Sequence, residues 1–84
     1  MYTMEFTETA EKFLKKLDTK EATTILQKIY ALRDNPFRSI KKLHGGNLWR
    51  LRIGDYRAVL EIIISGQRII VVRIGHRKNI YDNV

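Results

Sequence analysis

The sequence predicts an α+β fold in which a two-helix hairpin covers one face of a mostly antiparallel sheet. A short alternating segment comes first, two segments with helical periodicity follow, and three alternating segments separated by turn residues come last. Because most strands and both helices are grouped along the chain, a β-α-α-β-β-β order with the helices on one face is expected. The 84 residues are expected to form a single domain spanning 1–84.

The first strand is predicted at residues 2–7, and the first helix begins at Thr7 or Glu8. In this helix the lysines face away from the apolar side chains, as in a helix that lies on a core. The apolar stripe consists of Ala10, Phe13, Leu14 and Leu17. The spacing therefore predicts an amphipathic helix packed on the sheet.

The second helix is predicted to begin after Asp18, because the sequence "DTKE" is a capping box. The Asp18 side chain accepts a hydrogen bond from a first-turn amide, and Glu21 reaches back toward Asp18. Its apolar stripe consists of Ala22, Ile25, Leu26, Ile29 and Leu32. The helix ends at the sequence "DNP", since Pro36 disfavours the helical conformation for the residue before it.

The remainder of the chain is predicted to be a loop, three strands and a short tail. The loop covers 35–46, and the strands cover 47–53, 56–64 and 68–74. Gly54 and Asp55 form a two-residue hairpin turn, and residues 65–67 form a longer turn. After Gly75 we expect one helical turn or an irregular tail.

The two-residue turn predicts the register of the first hairpin, in which Arg52 lies opposite Arg57. One side of this hairpin is then apolar and should pack on the helices: Trp49, Leu51, Ile53, Tyr56, Ala58, Leu60 and Ile62. The other side carries Arg50, Arg52, Arg57 and Glu61. In the second hairpin we expect Ile62 opposite Ile70, Leu60 opposite Val72 and Ala58 opposite Ile74, which adds Arg73 to the arginine side.

Composition limits the classes of function. Residues 38–84 carry ten basic residues against three acidic ones, which accounts for the whole net charge of +7. This asymmetry favours a polyanionic partner, nucleic acid or an acidic protein segment, although a surface that serves only solubility is the alternative. Arginine strengthens the first interpretation, because the guanidinium group binds paired phosphate or carboxylate oxygens. Lys41 and Lys42 are candidate phosphate contacts at the rim.

The sequence also argues against several chemistries. There is no cysteine, so disulfides and thiol catalysis are excluded. His44 and His76 are far apart without clustered acids, so we predict no metal site and no cofactor. We find no signal peptide and no apolar run of transmembrane length, and we expect a cytoplasmic protein.

The runs "LWRLRIGDYRAVLEI" and "VVRIGHRKNIY" resemble the RelE/ParE superfamily of toxins from type II toxin–antitoxin systems. The resemblance covers nearly the whole chain and is closest to the RelE branch. It implies a ribosome-dependent endoribonuclease, an mRNA interferase that cuts mRNA in the ribosomal A site. The ribose 2′-hydroxyl attacks the adjacent phosphate, and a cognate antitoxin silences the toxin in a hetero-oligomeric complex.

The resemblance also implies roles for individual residues. Arg57 matches the arginine that stabilises the transition state, and Arg77 matches the arginine assigned to leaving-group protonation or charge stabilisation. Tyr81 matches a tyrosine that stacks on or orients the substrate, with a shorter spacing from the glycine. Arg50 and Arg52 stand where well-known members carry lysines, and arginine cannot serve as a base.

The general base is therefore open between His76 and Glu61, or the enzyme uses little base catalysis and relies on charge stabilisation. RNA binding is expected from Arg50, Arg52, Arg73, Lys41 and Lys42. Two other functions remain: a ParE-like inhibitor of DNA gyrase without nuclease activity, and an RNA-binding module without catalysis. The arginine–arginine–tyrosine set favours RNA cleavage.

Overall fold

Two helices pack against one face of a five-stranded mixed sheet in the computed structural model, which describes residues 1–43 and 46–76. The strands are β1 (Thr3–Phe6), β2 (Ile40–Lys42), β3 (Leu48–Ile53), β4 (Tyr56–Ile63) and β5 (Arg68–His76), and the helices are α1 (Glu8–Lys16) and α2 (Thr19–Tyr30). The strand order is β1-β5-β4-β3-β2, with β1 parallel to β5 and the other pairs antiparallel. The predicted α+β class is confirmed, and β2 occupies part of the predicted loop.

Both helices begin at the predicted caps. The Thr7 side chain accepts a hydrogen bond from the amide of Ala10 at 3.2 Å, and the Asp18 side chain accepts one from the amide of Glu21 at 2.8 Å. Each bond satisfies an amide that has no partner within its helix. The Glu21 carboxylate does not complete the predicted box, because it accepts a hydrogen bond from the Tyr56 hydroxyl at 2.7 Å. The second cap therefore also ties α2 to β4.

The first hairpin has the predicted register, in which Ile53 lies opposite Tyr56 and Arg52 lies opposite Arg57. Gly54 has a φ of +56°, a conformation that residues with a side chain rarely adopt. A two-residue turn leaves no freedom to slide the strands, so a correct turn assignment also orients every side chain of the hairpin.

The second hairpin departs from the prediction near its turn. The loop has four residues rather than three, because Ile63 lies opposite Arg68. Ile62 therefore pairs with Ile69 instead of Ile70, and Leu60 pairs with Val71 instead of Val72. A bulge between Val59 and Leu60 takes up the extra residue, so Ala58 lies opposite Ile74 as predicted.

The main core lies between the helices and the sheet. Its fully buried large side chains are Ile25, Ile29, Leu60, Ile69 and Val71. Ile25 and Ile29 belong to the predicted stripe of α2, and Leu60 belongs to the predicted apolar side of the hairpin. The periodicity of the sequence therefore identified the faces that build this core.

Candidate functional site

The sheet face opposite the helices carries a group of five cations, which we call the basic face: Lys41, Arg50, Arg52, Arg57 and Arg73. In one row across the sheet, Lys41 lies opposite Arg50, Arg50 opposite Val59, and Val59 opposite Arg73. Residues that face each other in adjacent strands point to the same side of a sheet. The strand register thus brings together side chains from four strands.

Arg57 lies in the adjoining row, between Arg52 of β3 and Gly75 of β5. Arg52 is exposed, whereas Arg57 is half-buried and its Nε atom is buried. Like charges opposite each other in a sheet destabilise it by about 0.2–1 kcal/mol. Partial burial also strengthens the attraction between a guanidinium group and an anion, because water screens the charges less. Arg57 is therefore a partly desolvated cation within the face.

An apolar cluster lies within the basic face. Leu43 and Val59 are buried, and Leu48 and Val72 pack against them. Val59 lies between Arg50 and Arg73 in the cross-strand row. The sequence prediction had placed Val72 on the helix side, and the bulge next to it is the reason that it lies here. The basic face thus combines an apolar centre with guanidinium groups around it.

Glu61 shares the basic face with the arginines. It lies opposite Leu48 on one side and Ile70 on the other, one row further from the first turn than Arg50. Its side chain is half-buried. The basic face therefore carries a carboxylate as well as guanidinium groups.

His76 lies on the other side of the sheet. It is opposite Tyr56, and the two rings meet edge to face with their centroids 5.7 Å apart. The Tyr56 ring also contacts Phe13 of α1, and its hydroxyl donates to Glu21, a bond that raises the pKa of Tyr56. The register therefore places the side chains of His76 and Arg57 on opposite sides of the sheet.

The two rim lysines also separate. Lys41 lies opposite Arg50 on the basic face, whereas Lys42 lies opposite Trp49 on the helix side. The Lys42 amine is 5.7 Å from the centre of the Trp49 ring, within the range of a cation–π contact. Trp49 packs against the core as predicted and also contacts the half-exposed Phe37 ring. Only Lys41 therefore joins the basic face.

Three residues discussed from the sequence lie outside the described residues. These are Arg77, Tyr81 and His44. Their predicted roles remain sequence-based. Within residues 1–43 and 46–76, no helix is long and apolar enough to cross a membrane.

Solved structures similar to this chain include toxins of toxin–antitoxin systems. The toxin–antitoxin complex RelBE2 from Mycobacterium tuberculosis contains a chain of 28% identity with a TM-score of 0.83, over 90% of this chain and 98% of that one. The RelB–RelE antitoxin–toxin complex from Methanococcus jannaschii contains a chain of 34% identity with a TM-score of 0.71, over 93% and 95%. The fold and the basic face thus define a type II toxin of the RelE/ParE superfamily.

Sequence comparison assigns the family. A profile described as the ParE toxin of the type II toxin–antitoxin system parDE matches residues 4–81, and the chain belongs to this family. Toxin RelE3 from Methanocaldococcus jannaschii is 48% identical over 44 residues, which are 51% of this chain. The match spans about half of that relative, at 48% of its length.

Proposed function

We propose that this chain is a ribosome-dependent mRNA endonuclease that inhibits translation. The observation that carries the proposal is the position of Arg57, a half-buried cation next to Arg52 on a face that also holds Arg50, Arg73 and Lys41. Such an array binds a phosphodiester chain through several adjacent phosphates. The resemblance to the RelE branch and the structural likeness to RelE toxins add support from independent observations.

The reaction is the attack of a ribose 2′-hydroxyl oxygen on the adjacent phosphorus atom. A P–O bond forms to the 2′-oxygen and the P–O bond to the 5′-oxygen breaks, leaving a 2′,3′-cyclic phosphate and a 5′-hydroxyl. Negative charge on the phosphate oxygens and on the leaving oxygen is lower in energy beside a fixed guanidinium group. Arg57 supplies this group, and the exposed Arg52 binds a neighbouring phosphate.

The attacking hydroxyl must lose a proton, and the leaving oxygen must gain one. Glu61 is a better candidate for the base than His76, because Glu61 shares the face of Arg57 and His76 lies among the aromatic rings on the helix side. Arg77 is proposed to protonate the leaving oxygen or stabilise its charge. Tyr81 is proposed to stack on the substrate.

The proposed partners are a cognate antitoxin, the ribosome and its mRNA. Two of the solved relatives, from Mycobacterium tuberculosis and Methanococcus jannaschii, are toxin–antitoxin complexes, which supports an antitoxin for this chain as well. An acidic amphipathic segment would match both parts of the basic face, its guanidinium groups and the apolar cluster around Val59. A ribosomal target would place the activity in the cytoplasm.

A second candidate is the inhibition of DNA gyrase without nuclease chemistry. The observation in its favour is the family profile itself, whose description names ParE. The basic face by itself does not distinguish gyrase inhibition from RNA cleavage, because an acidic surface of a protein target would also bind it. The half-buried Arg57, on the same sheet face as the Glu61 carboxylate, favours RNA cleavage.

Primer extension on mRNA from cells that express the chain separates these functions. Ribosome-dependent cuts within codons, with loss of cutting in an Arg57→Ala variant, are the expected result. Gyrase-dependent DNA breaks with intact mRNA would establish the second candidate. If both mRNA and DNA remain intact, the remaining function is RNA binding without catalysis.

A further inference from the structure

A groove next to the C-terminal end of β3 adjoins the basic face and shares Arg52 with it. It has a volume of about 430 Å³, and its floor includes the buried side chains of Leu32 and Leu51. Three exposed cations surround it, namely Lys28, Arg38 and Arg52, with Asp34 as the acidic residue of its lining. We call it the edge groove. Three cations against one acid make it attractive to an anion.

The groove exists because β2 is shorter than β3. The register of these two strands ends where Ile40 lies opposite Leu51, so Arg52 extends past the end of β2. The loop that forms the other wall is anchored by the buried Pro36, and the Arg38 amide donates to the Asn35 carbonyl at 3.4 Å. The loop thereby holds Arg38 across from α2.

The edge groove is continuous with the basic face through Arg52. This residue lines the groove and also lies opposite Arg57 in the first hairpin. A strand of RNA with one phosphate at Arg57 would therefore meet further cations in this direction, Arg38 and then Lys28 on α2. Within the described parts of the chain, Lys28, Arg38 and Arg52 form no ion pair with an acid.

We propose that the edge groove binds a phosphodiester group of RNA, next to the RNA that occupies the basic face. This inference rests on the proposed function, since it extends the RNA path of that function around the edge of the sheet. The amide of Asn35 and the hydroxyl of Ser39, both in the lining, add neutral hydrogen-bond donors suited to phosphate oxygens. The RNA is either a single strand or the folded RNA of the ribosome, and the chemistry of recognition is the same.

A neighbouring groove shows why RNA fits the edge groove better than an acidic peptide does. That second groove, of about 450 Å³, is lined by the apolar side chains of Ile25, Ile53 and Tyr56. It shares Lys28 with the edge groove, and its two lysines, Lys20 and Lys28, face two acids, Glu21 and Asp55. A peptide helix needs such an apolar surface to bury its own apolar face. The edge groove instead offers excess positive charge and polar donors.

The test uses the full chain, freed of antitoxin, and a double variant Lys28→Ala/Arg38→Ala. The matched control is Lys16→Ala/Arg33→Ala, which removes one lysine and one arginine that do not line the groove. Affinity is measured by fluorescence anisotropy for a non-cleavable 2′-O-methyl single-stranded RNA, and by sedimentation with ribosomes that lack mRNA. Both probes are titrated between about 50 and 200 mM salt. Thermal unfolding verifies that both variants are folded.

We expect the groove variant to bind at least one RNA probe roughly tenfold more weakly than the control does. For the single strand, the slope of log affinity against log salt becomes less steep by about 0.7 for each lost contact. A loss confined to the oligonucleotide identifies the single strand as the ligand, and a loss confined to ribosomes identifies ribosomal RNA.

Equal affinities and slopes for the two double variants with both probes would overturn the inference. So would unchanged binding of both RNA probes together with weaker binding of an acidic amphipathic peptide, measured as a third probe. Cleavage by the Arg57→Ala variant tests the proposed function separately, because the groove is judged by affinity alone. If the wild-type protein does not cut mRNA but the groove variant still binds RNA more weakly than the control, the inference about the groove is supported and the proposed nuclease activity is refuted.

Discussion

Arg57 is the residue whose position most favours the proposed catalysis over a surface that is only basic. It lies opposite the exposed Arg52, yet its own Nε is buried. Repulsion across this pair costs stability, and a surface that served only solubility would gain nothing from it. A fixed guanidinium group is useful where negative charge builds up on a phosphate.

We expect Arg57→Ala to lower cleavage by roughly 10²–10³-fold, the usual effect of removing one fixed charge donor. Arg57→Lys should recover part of this loss, because it keeps the charge and loses the planar fork. Arg33→Ala is the control, since Arg33 lies beside Tyr30 and away from the basic face. The measurement is primer extension at equal toxin levels. Wild-type cutting by Arg57→Ala would contradict the assigned role.

The two candidates for the general base, Glu61 and His76, are distinguished by which substitution lowers the cleavage rate more. Glu61→Gln should reduce cleavage more than His76→Gln does, because Glu61 shares the face of Arg57 whereas the His76 ring contacts Tyr56. The size of each effect is measured as the rate of mRNA cutting on ribosomes at several pH values. If His76→Gln is the more damaging change and the protein remains folded, the base is on the helix side and Glu61 is not the acceptor.

At the scale of the elements, the register of each hairpin was easier to predict when its turn was shorter. The two-residue turn at Gly54–Asp55 allowed every pair of the first hairpin to be predicted, because no other register closes so short a loop. The second loop had one residue more than expected. Gln67 in this loop has a positive φ of 52°, which glutamine rarely adopts and which the sequence therefore does not predict. The bulge that restores the register depends on packing between strands. No local pattern encodes it.

Strand β2 was missed for a related reason. Its three residues are too few to show an alternating pattern, and two of them are lysines. Pairing with β3 makes this segment a strand, and that pairing is a tertiary contact. The cations of the face, in contrast, were predictable as a group, because alternation in β3 and β4 assigns Arg50, Arg52 and Arg57 to one side.

The N-cap residue of α1, Thr7, is expected to contribute to the stability of the whole fold and not only to that of the helix. The Thr7 side chain accepts from the Ala10 amide and its hydroxyl donates to the Val72 carbonyl, so it joins the helix to β5. Thr7→Ala should lower the free energy of unfolding by about 1–2 kcal/mol. Thr23→Ala, at an exposed position within α2, is the matched control and should change it by less than about 0.5 kcal/mol. Urea denaturation compares them. Equal effects would show that the cap is unimportant.

At the scale of the molecule, charge is divided between the two layers. Residues 1–37, which include both helices, carry six basic and six acidic residues, and the net positive charge belongs to the later strands and the segments around them. This uneven distribution of charge gives the protein an electrostatic dipole, which orients the protein as it approaches a polyanion. The sequence showed the asymmetry, and the strand register brings five of these cations together on the basic face.

The edge strand β1 is held by an exposed pair, in which Arg68 donates to both carboxylate oxygens of Glu5 at 2.7 and 2.9 Å. The hydrogen bond from Arg68 lowers the pKa of Glu5 below its ordinary value of 4.5. A lowered pKa in the folded state contributes stability above the ordinary pKa, and this contribution is lost as the pH falls through the folded value. Acid should therefore weaken the attachment of β1.

We expect Glu5→Gln and Arg68→Gln each to remove the same part of the acid dependence of stability. Both variants should be less stable than the wild type near neutral pH and should approach it at the lowest pH values. The check is the urea midpoint measured from about pH 2 to pH 7, where carboxylates titrate. An unchanged pH profile in both variants would show that the pair contributes nothing.

The parallel pairing of β1 with β5 has a consequence for synthesis. Thr3 lies opposite Arg68, so the beginning of the chain has no neighbour in the sheet until the last strand has emerged from the exit tunnel. A nascent polypeptide that is still missing β5 also lacks Arg73 and the whole fifth strand of the face. We therefore expect the basic face to be complete only after β5 has joined the sheet between β1 and β4.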